Sequence, residues 1–153
     1  MKHILIAGVL ACATMVAPSA YAHNCGPHDT AKKSEKINEV TVAQLSKMLK
    51  AGKDKKTQKK TRAVDVNGSE TRAKYGIIPS AVLLSSSSRY DAVKELAGSK
   101  SDTFVFYCSN ERCSASKKAA KRAMKAGYTD VHVLPAGIAG WAKAGQSTEK
   151  PKS

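Results

Sequence analysis

The sequence has few aromatic residues, few acidic residues and, beyond its first two dozen residues, no long apolar run. Of its 153 residues, 5% are aromatic and 12 are Asp or Glu, against 26 Lys or Arg. Without a run of about 18 apolar residues, a polytopic membrane protein is excluded. The 42% hydrophobic content excludes a wholly disordered chain. The length argues against a two-domain enzyme, since one domain usually has about 100–200 residues.

The shortage of acidic residues leaves a formal net charge of +14. Such a charge attracts polyanions, including nucleic acid and anionic lipid, and also small inorganic anions. The Lys residues are spread along the chain, however, and few aromatics are interleaved with them to stack bases. We therefore expect no nucleic-acid partner. Residues 53–60 hold five Lys and predict a solvated loop, with an anion-docking patch as the alternative.

The first 22 residues have the pattern of a cleaved secretory signal peptide. Lys2 precedes an apolar run over residues 4–10, and small residues precede the expected cleavage after Ala22. A lipid anchor at Cys12 is the alternative, although Leu10 stands where a smaller residue is usual. Cleavage leaves 131 residues and a charge of +13, because Lys2 is the only charged residue removed. We expect a periplasmic or secreted protein that contacts the anionic envelope surface electrostatically.

Strand and helix patterns alternate along the rest of the chain. Residues 23–36 predict a flexible arm, residues 37–146 one domain, and residues 147–153 a polar tail. The predicted strands are 39–42, 62–66, 81–84, 103–107 and 131–134, and the predicted helices are 43–49, 69–75, 89–96, 115–126 and 137–144. This alternation predicts an α/β domain with a parallel central sheet and helices on both faces. Such sheets bind ligands at the carboxyl ends of their strands.

Cys108 stands at such an end. It directly follows the predicted strand 103–107, and the next helix begins at Ala115. Backbone N–H groups and the helix dipole at this place lower the pKa of a thiol, and the cation of Arg112 would lower it further. A buried inert cysteine is the alternative. We expect Cys108 to be an activated nucleophile, because it ends its strand and begins a polar loop.

The other cysteines leave alternatives open. Cys113 is a resolving partner that forms a disulfide with Cys108, a packing residue at the start of a helix, or the partner of Cys25. Soft-metal binding by His23, Cys25 and His28 is conceivable, because the three lie within six residues. A mobile arm would lose conformational entropy on binding, and a fourth ligand is unidentified, so we predict no metal site.

Several motifs resemble, in the same order, those of the rhodanese (sulfurtransferase) domain family over residues 39–145. They are the strand Val64-Asp65-Val66, the turn Gly76-Ile77-Ile78-Pro79-Ser80-Ala81, the pair Tyr107-Cys108 with its loop to Ser114, Ala126-Gly127-Tyr128 before Val131, and Leu134-Pro135-Ala136-Gly137 with Gly140-Trp141. The resemblance implies a small, exported, single-domain sulfurtransferase. Cys108 would take a sulfane sulfur from thiosulfate or a related small anionic donor. The resulting persulfide would pass its outer sulfur to a thiol or a cyanide-like acceptor.

The resemblance also implies roles for the loop. Arg112 would bind the anionic donor or the departing sulfite. Loop amides would hold the persulfide sulfur, and the loop residues are Ser109, Asn110, Glu111, Cys113 and Ser114. No metal or organic cofactor is implied, and we expect a monomer. At the fifth position after Cys108, where the family usually has Arg, this chain has Cys113.

Two other functions remain open. The fold could serve as a non-catalytic persulfide carrier that delivers sulfur to a protein partner. A thiol-redox protein could instead use Cys108 and Cys113 as a dithiol pair. A phosphatase related to the rhodaneses is excluded, because the three residues between Cys108 and Arg112 are too few to wrap a phosphate.

Overall fold

The computed structural model describes residues 36–52 and 55–151. The predicted signal peptide, the lipid-anchor candidate Cys12, the possible metal ligands around Cys25 and most of the predicted arm lie outside the described residues. The described elements are β1 (Asn38–Glu39), α1 (Val42–Ala51), β2 (Thr61–Asp65), α2 (Ser69–Tyr75), β3 (Val82–Leu83), α3 (Ala92–Glu95), β4 (Thr103–Tyr107), α4 (Ala115–Lys125), β5 (Asp130–Leu134) and α5 (Gly137–Lys143). Among these residues no helix is long and apolar enough to cross a membrane.

The five strands form one parallel sheet in the order β1-β5-β4-β2-β3. β4 lies at the centre and pairs with β2 on one side and β5 on the other, so that Tyr107 stands opposite Asp65 and Leu134. All five residues of β4 are buried, as expected for a strand with both faces covered. The predicted α/β fold with a parallel sheet is confirmed, and the carboxyl end of β4 opens at the middle of the sheet edge.

The apolar core is divided between the two faces of the sheet. Phe104 and Phe106 of β4 pack on one face, together with the Ala residues of α4. Val105 and Tyr107 point to the opposite face, where Trp141 of α5 joins them. This alternation follows from the two-residue period of a strand. Burial on both faces therefore fixes β4, and with it the position of the residue that follows.

Two predicted elements each have one boundary that is wrong by three residues. The strand predicted over 39–42 ends at Glu39, because Thr41 caps α1: its hydroxyl accepts the Gln44 N–H (3.2 Å), and the Gln44 side chain accepts the Thr41 N–H (2.8 Å). The helix predicted over 89–96 is shortened to Ala92–Glu95, because the Asp91 carboxylate caps the N–H groups that follow it. Neither difference moves β4 or the loop after it.

Residues beyond 146 pack against the turn after α2. Glu149 pairs with Ile77 through two backbone hydrogen bonds of 2.8 and 2.9 Å, and its carboxylate accepts the Ser80 N–H at 2.9 Å. The Trp141 indole donates to the Ser147 carbonyl at 2.8 Å. The segment after α5 thus closes over one side of the domain as far as Glu149.

Candidate active site

Cys108 begins the loop at the carboxyl end of β4. It is only 2% exposed, whereas Cys113 is half-buried, and both are free thiols. The loop ends at Ser114, the residue before α4. The structure therefore brings together the residues that the sequence analysis placed in one loop, from Cys108 to Ser114.

The first turn of α5 holds the start of this loop. The Ile138 N–H donates to the Cys108 carbonyl at 2.8 Å, and the Ala139 N–H donates to the Ser109 carbonyl at 3.0 Å. These are N–H groups that a helix start leaves without partners inside the helix. Gly137 has a φ of +61°, and a Cβ built on it would lie 2.6 Å from the Cys108 carbonyl oxygen and 2.7 Å from the Asn110 nitrogen. Only glycine lets the helix approach the loop this closely.

The Cys108 sulfur faces the start of α4 and two carbonyl groups. Its Sγ lies 3.1 Å from the Cys113 carbonyl oxygen and 3.8 Å from that of Asn110, so the thiol acts as a donor. The Ser116 hydroxyl lies 3.5 Å from the same sulfur. The two carbonyl contacts favour the protonated form of the Cys108 thiol.

The middle of the loop is a tight turn organised by Asn110. Its side-chain oxygen accepts the Arg112 N–H at 3.0 Å, and its carbonyl accepts the Cys113 N–H at 3.1 Å. These two amides therefore bond to Asn110 rather than to Cys108 Sγ. The side chains of Glu111 and Arg112 are exposed. In the described part of the chain, the Arg112 guanidinium makes no hydrogen bond or ion pair and is open to an anion.

The expectation of a lowered pKa for Cys108 is wrong. Burial first, and then the neighbouring Cys113 thiol, raise the pKa of Cys108 above its ordinary value. The hydroxyl and N–H of Ser116 act in the opposite direction but do not offset these effects. Arg112 does not counter the burial either, because its side chain points to solvent.

Cys113 is the thiol whose pKa is lowered. Burial acts to raise it, but the contact with the Cys108 thiol and the N–H groups of Ala115 and Ser109 outweigh that effect, with help from the Ser109 hydroxyl. Ala115 is the first residue of α4, so its N–H has no partner within the helix. The start of α4 therefore contributes an N–H to each thiol, but only at Cys113 do the favourable contacts outweigh burial.

We expect Cys113 to be alkylated before Cys108 when the reduced protein is treated with iodoacetamide at neutral pH. The thiolate is the reacting form, and a lowered pKa gives Cys113 the larger thiolate fraction, whereas labelling of Cys108 rises only at more alkaline pH. Peptide mapping by mass spectrometry over a pH series measures both rates. Faster labelling of Cys108 at neutral pH would contradict the assignment.

A buried ion pair lies directly below the site. Asp65 ends β2 beside Tyr107 and is fully buried; its carboxylate accepts the Arg72 Nε–H at 2.9 Å and the Asn67 N–H at 2.8 Å. Arg72 also donates to the carbonyls of Asp65 and Leu84, at 3.3 and 3.0 Å. The pair joins β2, α2 and the end of β3 into one support for the sheet edge.

Three residues of the site were not predicted from the sequence. Ser116 has a signal, because it heads a stripe of small buried residues that continues through Ala119, Ala120 and Ala123 of α4. A polar side chain at the end of such a stripe indicates a partner. The contact of Gly137 and the pairing of Arg72 with Asp65 join distant segments and have no local signal. No group of three or more His, Cys, Asp or Glu side chains in the described ranges could hold a metal ion.

The fold and the loop define a class of protein. The model of the rhodanese-like domain matches residues 41–144, which include every described element from α1 to α5. The chain belongs to the rhodanese-like domain family.

Solved structures of the same fold agree with this. A Bacillus halodurans protein is 26% identical, with a TM-score of 0.60 over 73% of this chain and 76% of that one. The rhodanese-like domain of an Anabaena sp. protein is 20% identical, with a TM-score of 0.58 over 76% and 81%. A thiosulfate sulfurtransferase from Pseudomonas aeruginosa is 20% identical, with a TM-score of 0.57 over 77% of this chain but 20% of that one. None of the curated proteins compared with the chain matches it in sequence.

Proposed function

We propose that this chain is a sulfurtransferase that carries a sulfane sulfur on Cys108. The donor is thiosulfate or a related small anion, and the acceptor is a thiol or a cyanide-like nucleophile. The observation that carries the proposal is the position of the Cys108 thiol, which follows the central strand and lies where α4 and α5 both begin. Membership of the rhodanese-like domain family supports the same chemistry.

The first step is an attack of Cys108 Sγ, as thiolate, on the outer sulfur of thiosulfate. A bond forms from Sγ to that sulfur, the sulfur–sulfur bond of thiosulfate breaks, and sulfite leaves with the electron pair. The acceptor then attacks the outer sulfur of the persulfide, and Cys108 leaves as thiolate. Because the pKa of Cys108 is raised, we expect the first step to accelerate as the pH increases.

Positive charge around the loop favours an anionic donor. The Arg112 guanidinium is exposed on the loop that follows Cys108, and α4 contributes five Lys or Arg and no acidic residue. A cationic surface of this kind raises the local concentration of a small anion. We assign to Arg112 the binding of the donor and of the departing sulfite. The proposal keeps export and an electrostatic contact with the anionic envelope surface, as the charge and the first 22 residues predict.

We expect Cys108→Ser to abolish both persulfide formation and sulfur transfer to cyanide. A serine hydroxyl cannot form the sulfur–sulfur bond that the first step requires. The reduced protein is incubated with thiosulfate, and intact mass and thiocyanate production are measured. The wild type should release sulfite and, at early times before any second step consumes the persulfide, show a gain of one sulfur atom that reduction removes. Cys25→Ser makes the same exchange at a cysteine outside this loop and should leave both readouts unchanged.

The same assay separates the alternatives. Persulfide on Cys108 with no transfer to cyanide or thiols would favour the non-catalytic carrier. Loss of two hydrogens without any gain of sulfur and without sulfite release would contradict sulfur transfer and favour a thiol-redox protein. Sulfur transfer that survives in Cys108→Ser would contradict the assignment of Cys108 as the nucleophile.

A further inference from the structure

The two cysteines of the loop are in contact. The Asn110 turn brings Cys113 back over Cys108, whose Sγ lies 3.1 Å from the Cys113 carbonyl oxygen. The Cys113 thiol also raises the pKa of Cys108, and the Cys108 thiol lowers the pKa of Cys113. Only four residues separate these cysteines. The turn therefore holds a second sulfur next to Cys108, at the position where the rhodanese family usually has Arg.

The environments of the two thiols differ in a way that suits consecutive steps. Cys108 is buried under α4 and α5, while Cys113 is half-buried and accessible. The N–H groups of Ala115 and Ser109 stabilise Cys113 as a thiolate. A thiolate beside a persulfide is a nucleophile beside its electrophile, and fixed proximity gives such intramolecular attacks a large advantage over attack from solution.

We propose that Cys113 is a second catalytic residue, which resolves the Cys108 persulfide and releases its outer sulfur as hydrosulfide. The inference rests on the proposed function, because that function supplies the persulfide. The Cys113 thiolate attacks Cys108 Sγ and forms the Cys108–Cys113 disulfide bond. The bond from Cys108 Sγ to the outer sulfur breaks, and that sulfur leaves with the electron pair and takes a proton from solution.

The complete reaction balances. Thiosulfate and the two protein thiols become sulfite, hydrosulfide and one disulfide. The sulfane sulfur is reduced by two electrons, and the two thiols are oxidised by the same number. A dithiol reductant, small or protein-borne, then returns the pair to its reduced form by thiol–disulfide exchange. The activity differs from transfer to cyanide in that the acceptor belongs to the same loop and the product is free sulfide.

The test is a single turnover of the fully reduced chain with thiosulfate, without oxygen and without added reductant. Sulfite, sulfide and intact mass are measured in parallel. We expect one sulfite and one sulfide for each chain, a loss of two hydrogens, and a peptide map that joins Cys108 to Cys113. In Cys113→Ser, sulfite release should persist, sulfide release should be lost, and the gained sulfur should remain on Cys108. Persisting sulfite release is the internal control for an intact first step.

The outcomes distinguish the two proposals. Sulfite with a lasting persulfide and no sulfide in the wild type would overturn the role of Cys113 and leave sulfur transfer standing. If the wild type forms no sulfite and no persulfide, sulfur transfer itself is overturned. A disulfide to Cys25, or sulfide release that survives in both Cys113→Ser and Cys113→Ala, would also overturn the inference. The peptide map of the wild type decides the matter even where a variant fails to fold.

Discussion

The substitution Asp65→Asn lowers the free energy of unfolding by about 3–5 kcal/mol, the usual effect of removing one partner of a buried ion pair. Asp65 is fully buried, and Arg72 has a side chain only 15% exposed. After the substitution, the Arg72 cation stays in the interior without a countercharge. In the wild type the Asp65 carboxylate accepts from three donors: Arg72 Nε, the Asn67 N–H and the Asn67 amide. An Asn side chain has only one oxygen to accept from them, and its NH₂ group faces the remaining donors.

Urea denaturation followed by circular dichroism measures this effect, and the chain offers a matched control. Glu39 pairs with Lys117 Nζ at 2.9 Å, the same separation as in the Asp65–Arg72 pair, but both side chains are more than half exposed. Glu39→Gln should change the free energy of unfolding by less than about 1 kcal/mol, because an exposed pair gains little over its hydration. If Asp65→Asn and Glu39→Gln lower the free energy of unfolding by similar amounts, burial does not make the Asp65–Arg72 pair more important for stability than an exposed pair.

Local sequence patterns were sufficient to predict the bounds of a strand or helix where one kind of interaction dominates the segment. The five residues of β4 are aromatic or β-branched, and the strand predicted at 103–107 matches Thr103–Tyr107. The error at the start of α1 was avoidable, because Thr41 and Gln44 have the spacing of a capping box. Val40 and Val42 suggested a longer strand, and the cap outweighed that suggestion. Local hydrogen bonding by polar side chains therefore decides boundaries that apolar patterns leave undetermined.

The electrostatics of the site could not be predicted in the same way. A cysteine before a helix is expected to be acidic, but which of two nearby cysteines receives the helix amides depends on how the loop turns. The Asn110 turn gives the Ala115 and Ser109 amides to Cys113 and turns carbonyls toward Cys108. The contacts of α5 with the loop join residues about 30 positions apart in sequence and leave no trace in local periodicity. The position of Cys108 was therefore predictable, and the direction of its pKa shift was not.

The contact of α5 with the loop leads to the second large effect. Gly137→Ala should lower the free energy of unfolding by roughly 3 kcal/mol and displace the start of the loop. The new Cβ would meet backbone atoms of Cys108, Ser109 and Asn110 at 2.6–2.7 Å, and backbone atoms cannot rotate away as a flexible side chain can. The φ of +61° adds strain for any residue with a Cβ. Relief of the clash separates the loop from the Ile138 and Ala139 amides that hold it.

Gly145, two residues after α5, separates the effect of backbone strain from that of the steric clash. It has a φ of +70°, close to that of Gly137, but a Cβ on it would meet nothing within 4 Å. Gly145→Ala should therefore lose only about 1–2 kcal/mol, from backbone strain alone, and keep the wild-type rate of persulfide formation. Denaturation and the thiosulfate mass assay, run on both variants, compare stability with Cys108 reactivity. If Gly137→Ala matches Gly145→Ala in both measurements, the close approach of α5 does not position the nucleophile. A larger loss of stability accompanied by slower persulfide formation would establish that the start of α5 fixes Cys108.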